Sequence, residues 1–100
     1  MRYQMVIQAD NRSMADFDVM LALERKIEER LAEQDLVDGH DAGAGEWNIF
    51  LEVADPRSAL ARLAGLLDST LPPIRVGYRE LGTNEYMPLF PAGLAEFQAR

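Results

Sequence analysis

Residues Arg2 to Ala9 alternate Tyr3, Met5 and Ile7 against Gln4, Val6 and Gln8, the period of two of a strand with one buried face. After the loop Asp10-Asn11-Arg12, Ser13 and Asp16 stand at the spacing of a capping box in its acidic form, so a helix is expected to start here. Phe17, Met20, Leu21, Leu23, Ile27 and Leu31 recur at three- and four-residue steps, with Glu24, Arg25, Glu28, Glu29 and Arg30 on the solvated side. That pattern carries the helix to about Ala32 or Glu33. Leu36–Asp41 and Glu46–Ala54 are extended candidates around a glycine-rich connection, the second alternating Trp47, Ile49, Leu51 and Val53 against Glu46, Asn48, Phe50 and Glu52.

Asp55-Pro56 then offers an N-cap followed by proline at the first helical position, where the missing amide hydrogen costs nothing. Leu60, Leu63, Ala64 and Leu67 form the apolar stripe of this second helix, expected to end near Ser69 or Thr70 because Pro72-Pro73 forbids its continuation. Ile74, Val76 and Tyr78 mark a fourth strand. After the turn Gly82-Thr83-Asn84, Tyr86–Phe90 is a short fifth strand that Pro88 confines to an edge. Strand, helix, strand, strand, helix, strand is the order of the ferredoxin-like, or split βαβ, fold. We therefore expect an α+β domain over residues 1–91, with both helices on one face of an antiparallel sheet and the other face uncovered, followed by a short tail, 92–100, that frays or forms one helical turn.

Composition narrows the function classes. The chain has 100 residues and 48% hydrophobic content, enough for one core that buries roughly 60–65% of its unfolded surface. A net charge of −7 repels phosphate backbones and anionic headgroups, so neither nucleic acid nor membrane is expected as a partner. The lack of cysteine removes disulfides, thiolate ligands and thiol nucleophiles. With no signal-peptide pattern and no long apolar run, a cytoplasmic protein is the expectation.

Chemistry concentrates in one place. Asp38-Gly39-His40-Asp41-Ala42-Gly43-Ala44-Gly45-Glu46 gathers three carboxylates, three glycines and the single histidine within nine residues. A four-residue hairpin loop would set Asp41 opposite Glu46, an unfavourable like-charge pair, and turn His40 toward the core beside Trp47. A three-residue loop, Ala42-Gly43-Ala44, is the expected register; it turns Val37 inward and puts Asp38, His40, Glu46 and Asn48 on the open face, within reach of Gln4 and Gln8. Val6 and Phe50 share that face, either as isolated surface hydrophobes or as part of an interface.

The binding candidates are therefore Asp38, His40, Asp41, Glu46, Asn48, Phe50, Gln4 and Gln8. His40 with Glu46 or Asp38 is the candidate acid/base group. One nitrogen donor among carboxylates falls short of a zinc set, and the spacing departs from an EF-hand, so neither metal nor other cofactor is expected. Gly43-Ala44-Gly45 lacks the lysine, the hydroxyl and the following helix of a phosphate loop. Arg75 and Arg79 share a strand face and could hold a carboxylate ligand or neutralise neighbouring acids.

The run Asp38-Gly39-His40-Asp41-x-Gly43-x-Gly45-Glu46-x-Asn48-Ile49-Phe50-Leu51, with Asp55-Pro56 beyond it, resembles a group of small, uncharacterised bacterial proteins over about a fifth of the chain. The resemblance implies a single α+β domain with this hairpin as the shared signature, and no activity; Ala44 stands where that pattern has serine. The function expected is a binding or interaction domain that forms a homodimer through the open sheet face or engages another protein. The alternatives are a cofactor-free enzyme like the small dimeric ferredoxin-like monooxygenases, using His40, and a regulatory domain for a small metabolite.

Overall fold

The alternation at the start of the chain forms β1 (Tyr3–Asp10), followed by α1 (Met14–Arg30), β2 (Leu36–Gly43), β3 (Glu46–Val53), α2 (Pro56–Asp68), β4 (Ile74–Glu80) and β5 (Met87–Phe90). This is a computed structural model, and it describes residues 2–68 and 73–99. The expected end of the second helix at Ser69 or Thr70, and its stop at Pro72, lie outside the described residues.

Both helices begin as their caps dictate. Ser13 Oγ accepts from the Asp16 amide at 3.3 Å, and Asp16 Oδ2 accepts from the Arg12 amide at 2.8 Å. Asp55 Oδ1 accepts from the amides of Arg57 and Ser58, while the Ser58 hydroxyl donates to Oδ2 at 3.0 Å. The Ser58 hydroxyl, then the backbone amides and the nearby Arg57 charge, hold the Asp55 carboxyl below its ordinary value of 3.8. The first helix stops at Arg30, slightly short of expectation, where the extended Leu31 caps it by donating to Ile27 O.

The strands make one five-stranded antiparallel sheet in the order β2-β3-β1-β4-β5. Met5, Ile7 and Ala9 of β1, Trp47, Ile49, Leu51 and Val53 of β3, and Ile74 and Val76 of β4 pack in one cluster with Met20, Leu23 and Ile27 of α1 and Ala59, Leu63, Leu66 and Leu67 of α2. Both helices therefore cover the same sheet face. Each edge is blunted in its own way. β5 is four residues long and carries Pro88, and β2 is broken by a bulge between Val37 and Gly39.

The other face is not left uncovered. Val6 points away from the helices yet is fully buried, and so is Phe97 at 4% exposure, although neither belongs to the main core cluster. Residues 94–99 form neither helix nor a loose end: this C-terminal segment lies against the sheet with Phe97 on Gly77. The expectation that the tail frays or makes a helical turn is corrected by this one aromatic anchor.

Candidate functional site

The hairpin decides where the chemistry goes. Its loop has two residues, Ala44 at φ 55° and Gly45 at φ 79°, with Gly43 directly opposite Glu46. Two successive positive φ values make the primed turn that matches strand twist, so neither the three- nor the four-residue loop forms. Val37 pairs with Leu51 and faces the helices as expected, but Asp38 is the extra residue of the bulge and Gly39, at φ 118°, pairs with Phe50. The shorter turn moves His40 and Asp41 to the faces opposite those of the three-residue register, and the insertion at Asp38 returns Val37 to the helix side.

His40 accordingly pairs with Ile49 on the helix side, where its Nδ1 lies 2.9 Å from Glu24 Oε2 of α1 and its ring meets Phe17 edge-on. The placement of His40 on the open face beside Glu46 is thus corrected: the two residues stand on opposite faces. Asp38 is exposed on the bulge, and Asp41 takes the open-face position beside Asn48. Glu24, the actual partner of His40, was not among the expected residues, since its place on the solvated helix stripe gave no sign of it.

The face away from the helices is organised in three rows across the sheet. The first runs Asp41, Asn48, Gln8, Arg75; the second Gly39, Phe50, Val6, Gly77, Pro88; the third Leu36, Glu52, Gln4, Arg79. In the first, Asn48 Nδ2 donates to Asp41 Oδ1 and Gln8 Nε2 donates to Asn48 Oδ1, both at 2.9 Å, while Arg75 Nε donates to Gln8 Oε1 at 2.6 Å. Arg75 also holds Glu46 Oε2 through Nη2 and lies 3.5 Å from Asp10. In the third, Arg79 Nε and the Tyr86 hydroxyl both donate to Gln4 Oε1, and Arg2 bridges to Glu52. The buried amides of Gln8 and Asn48 are tolerated here because side chains of the neighbouring strands, and for Gln8 also the Gln98 carbonyl, supply their hydrogen-bonding partners.

Both outer rows carry a carboxylate on the β2–β3 side, an amide on β1 and a guanidinium on β4. The arginines that the sequence left open between ligand binding and neutralisation are engaged by the protein itself, Arg75 by Glu46 and Gln8, Arg79 by Gln4 and the Thr83 carbonyl.

Recesses on the surface are shallow. One of about 350 Å³ is lined by Gln8, Glu46, Arg75, Glu96, Phe97 and Gln98 where the C-terminal segment meets the sheet. A second of about 260 Å³ adjoins it through Glu46 and is lined by Asp41, Ala42, Gly43, Ala44 and Asn48. A third, about 350 Å³, lies at the start of α2 between Tyr3, Asp55, Arg57 and Tyr78. His40 lines none of the three. Among the described residues no three His, Cys, Asp or Glu side chains come together as a metal-holding group, and no helix is long and apolar enough to cross a membrane.

Fold and surface together define an α+β domain with a five-stranded antiparallel sheet and a polar face partly covered by its own C-terminal segment. No family model, no curated protein and no solved structure matches the chain.

Proposed function

We propose that this chain is a small binding and interaction domain on a ferredoxin-like βαββαβ core that forms a homodimer through the sheet face turned away from the helices. The order β2-β3-β1-β4 supports the ferredoxin-like assignment, with β5 added outside β4. The observation that carries the self-association is the antisymmetry of the face about β1: Asp41 and Glu52 lie on one side, Arg75 and Arg79 on the other. A face of that kind is complementary to itself under a two-fold axis along the central strand, which is the condition an isologous dimer must meet. Phe50, half-buried, and Leu36, 45% exposed, supply apolar contact beside the acidic side chains. The blunted edges favour the face over strand-to-strand pairing.

Sedimentation velocity over a range of concentrations tests this reading. The wild-type chain self-associates, and Phe50→Asp, which adds a charge to the face without touching the core, gives a folded monomer. Equal sedimentation coefficients for the two proteins at every concentration would refute it.

The recess between Gln8, Glu46, Arg75 and Gln98 supports a second reading, in which a small charged metabolite binds at the junction of sheet and C-terminal segment. A ligand screen by thermal shift checks it, since a compound that binds only the native state raises the melting temperature. The catalytic reading has no comparable support, because Glu24 rather than Glu46 or Asp38 meets the His40 ring.

A further inference from the structure

Gly77 is a glycine inside a strand, and a side chain there has no room. A Cβ placed on it would come within 2.3 Å of Phe97 Cγ and Cδ1 and 2.9 Å of Phe97 Cβ. The bare backbone of Gly77 is therefore the floor of a notch, open on the face away from the helices and filled by an aromatic ring. Among the described residues, few contacts hold that ring's segment. Residues 94–99 add no strand to the sheet, and beyond the Phe97 contact Gln8 Nε2 donates to the Gln98 carbonyl at 2.9 Å. The Tyr86 ring flanks Phe97 at 5.6 Å.

The notch also has a second aromatic residue related to it by symmetry. Val6 pairs with Phe50 on one side and with Gly77 on the other, so the two lie in one row at equal distance from β1, about 4.8 Å to either side. When two copies stack face to face about a two-fold axis along β1, left and right exchange. Phe50 of each copy then lies over Gly77 of its mate, and Glu52 lies over Arg79. The same operation that brings an aromatic ring to the notch brings opposite charges together beside it, which is the argument for a second copy of this chain as the occupant.

Resting on the self-association reading above, we propose that Phe97 of the chain's own C-terminal segment and Phe50 of a second copy compete for the notch over Gly77. The segment is then a strap that limits dimerisation. Strap docking and dimerisation are mutually exclusive, so each weakens the other by the same factor, and the apparent dissociation constant rises as the fraction of chains with an open notch falls.

The test uses full-length protein in three forms, wild type, Phe97→Ser and Phe97→Ser/Gly77→Val, measured by sedimentation equilibrium alongside hydrogen exchange of the amides in 94–99. Phe97→Ser is expected to dimerise at least tenfold more tightly than wild type. Adding Gly77→Val fills the notch with a side chain suited to a strand and returns the protein to monomer. In the wild type, amides 94–99 exchange faster as concentration rises, because dimerisation displaces the strap. The proposal is overturned if Phe97→Ser associates no more tightly than wild type, or if the double variant associates as strongly as Phe97→Ser. Should Phe97→Ser fail to fold, the wild-type measurement decides: dimerisation with unchanged exchange in 94–99 overturns the strap and leaves the self-association reading standing. A wild type that stays monomeric at every concentration beside an unfolded Phe97→Ser overturns both.

Discussion

Replacing Gly77 by alanine should destabilise the protein through a residue twenty positions away in the sequence. The new Cβ occupies the space of Phe97 Cγ and Cδ1, and because these atoms are the root of the ring rather than a flexible tip, the segment itself has to move. Phe97 is 4% exposed, so eviction forfeits nearly all of its burial, about 1.5–3 kcal/mol for a phenylalanine side chain. Against this, exchanging glycine for alanine in a strand recovers roughly 0.5–1 kcal/mol of chain entropy. The net expectation is a loss of about 1–2 kcal/mol, or a melting temperature lowered by roughly 4–16 °C at 4–8 °C per kcal/mol for a domain of this size. Phe97→Ala alone should cost about 2–3 kcal/mol. If one contact underlies both losses, Phe97→Ala made on the Gly77→Ala background costs little more, and urea unfolding gives a coupling of about 1–2 kcal/mol. The unfolding is run at low concentration so that association does not add to stability. Additivity of the two single changes within about 0.5 kcal/mol would refute the notch as the seat of Phe97.

Two further outcomes concern the caps and the histidine. The folded Asp55 carboxyl titrates below its ordinary 3.8, so its stabilising contribution is complete above that value and is lost as pH falls through the lowered one. Asp55→Asn, which retains an acceptor for the Ser58 amide, should therefore flatten the melting temperature between pH 4 and pH 2 relative to wild type; curves of equal slope would contradict the assignment. The His40–Glu24 contact lies at the surface of the helix layer, with the two side chains 34% and 15% exposed. His40→Ala and Glu24→Gln should each cost about 0.2–1 kcal/mol and should not add in the double variant; full additivity in denaturant unfolding would argue against the pair.

Much of this architecture was legible because local signals agreed with one another. Trp47, Ile49 and Leu51 alternate as a half-buried strand must, and all three are fully buried; Asp55-Pro56 announces a helix that begins where it should. The hairpin register was harder for a definite physical reason. Gly39 lies within a strand, and a glycine there signals a bulge as readily as a turn. Its positive φ adds one residue to β2, and the two-residue turn at Ala44-Gly45 sets the rest. These two glycines, with φ of 118° and 79°, give the segment Asp38–Glu46 a structural reason for its composition. Glu46, Asn48, Gln4 and Gln8 reached the expected face because they lie on strands without a bulge, whereas His40 and Asp41 exchanged faces because the turn has two residues rather than three, and the bulge then keeps Val37 on the helix side. The C-terminal cover was missed altogether. Gly77 between Arg75 and Arg79 was the available signal, since a glycine in a strand also marks close approach by another part of the chain.

The proposed dimer sets the face carrying Phe50, Val6 and Gly77 against the same face of a second copy. Isotope-filtered NMR on an equal mixture of labelled and unlabelled chains at high concentration records contacts between copies alone. Intermolecular contacts between the Phe50 ring and the Gly77 α-protons are expected, stronger in Phe97→Ser than in wild type. Intermolecular contacts confined to β2 or β5, or none at all in either protein, would contradict that dimer.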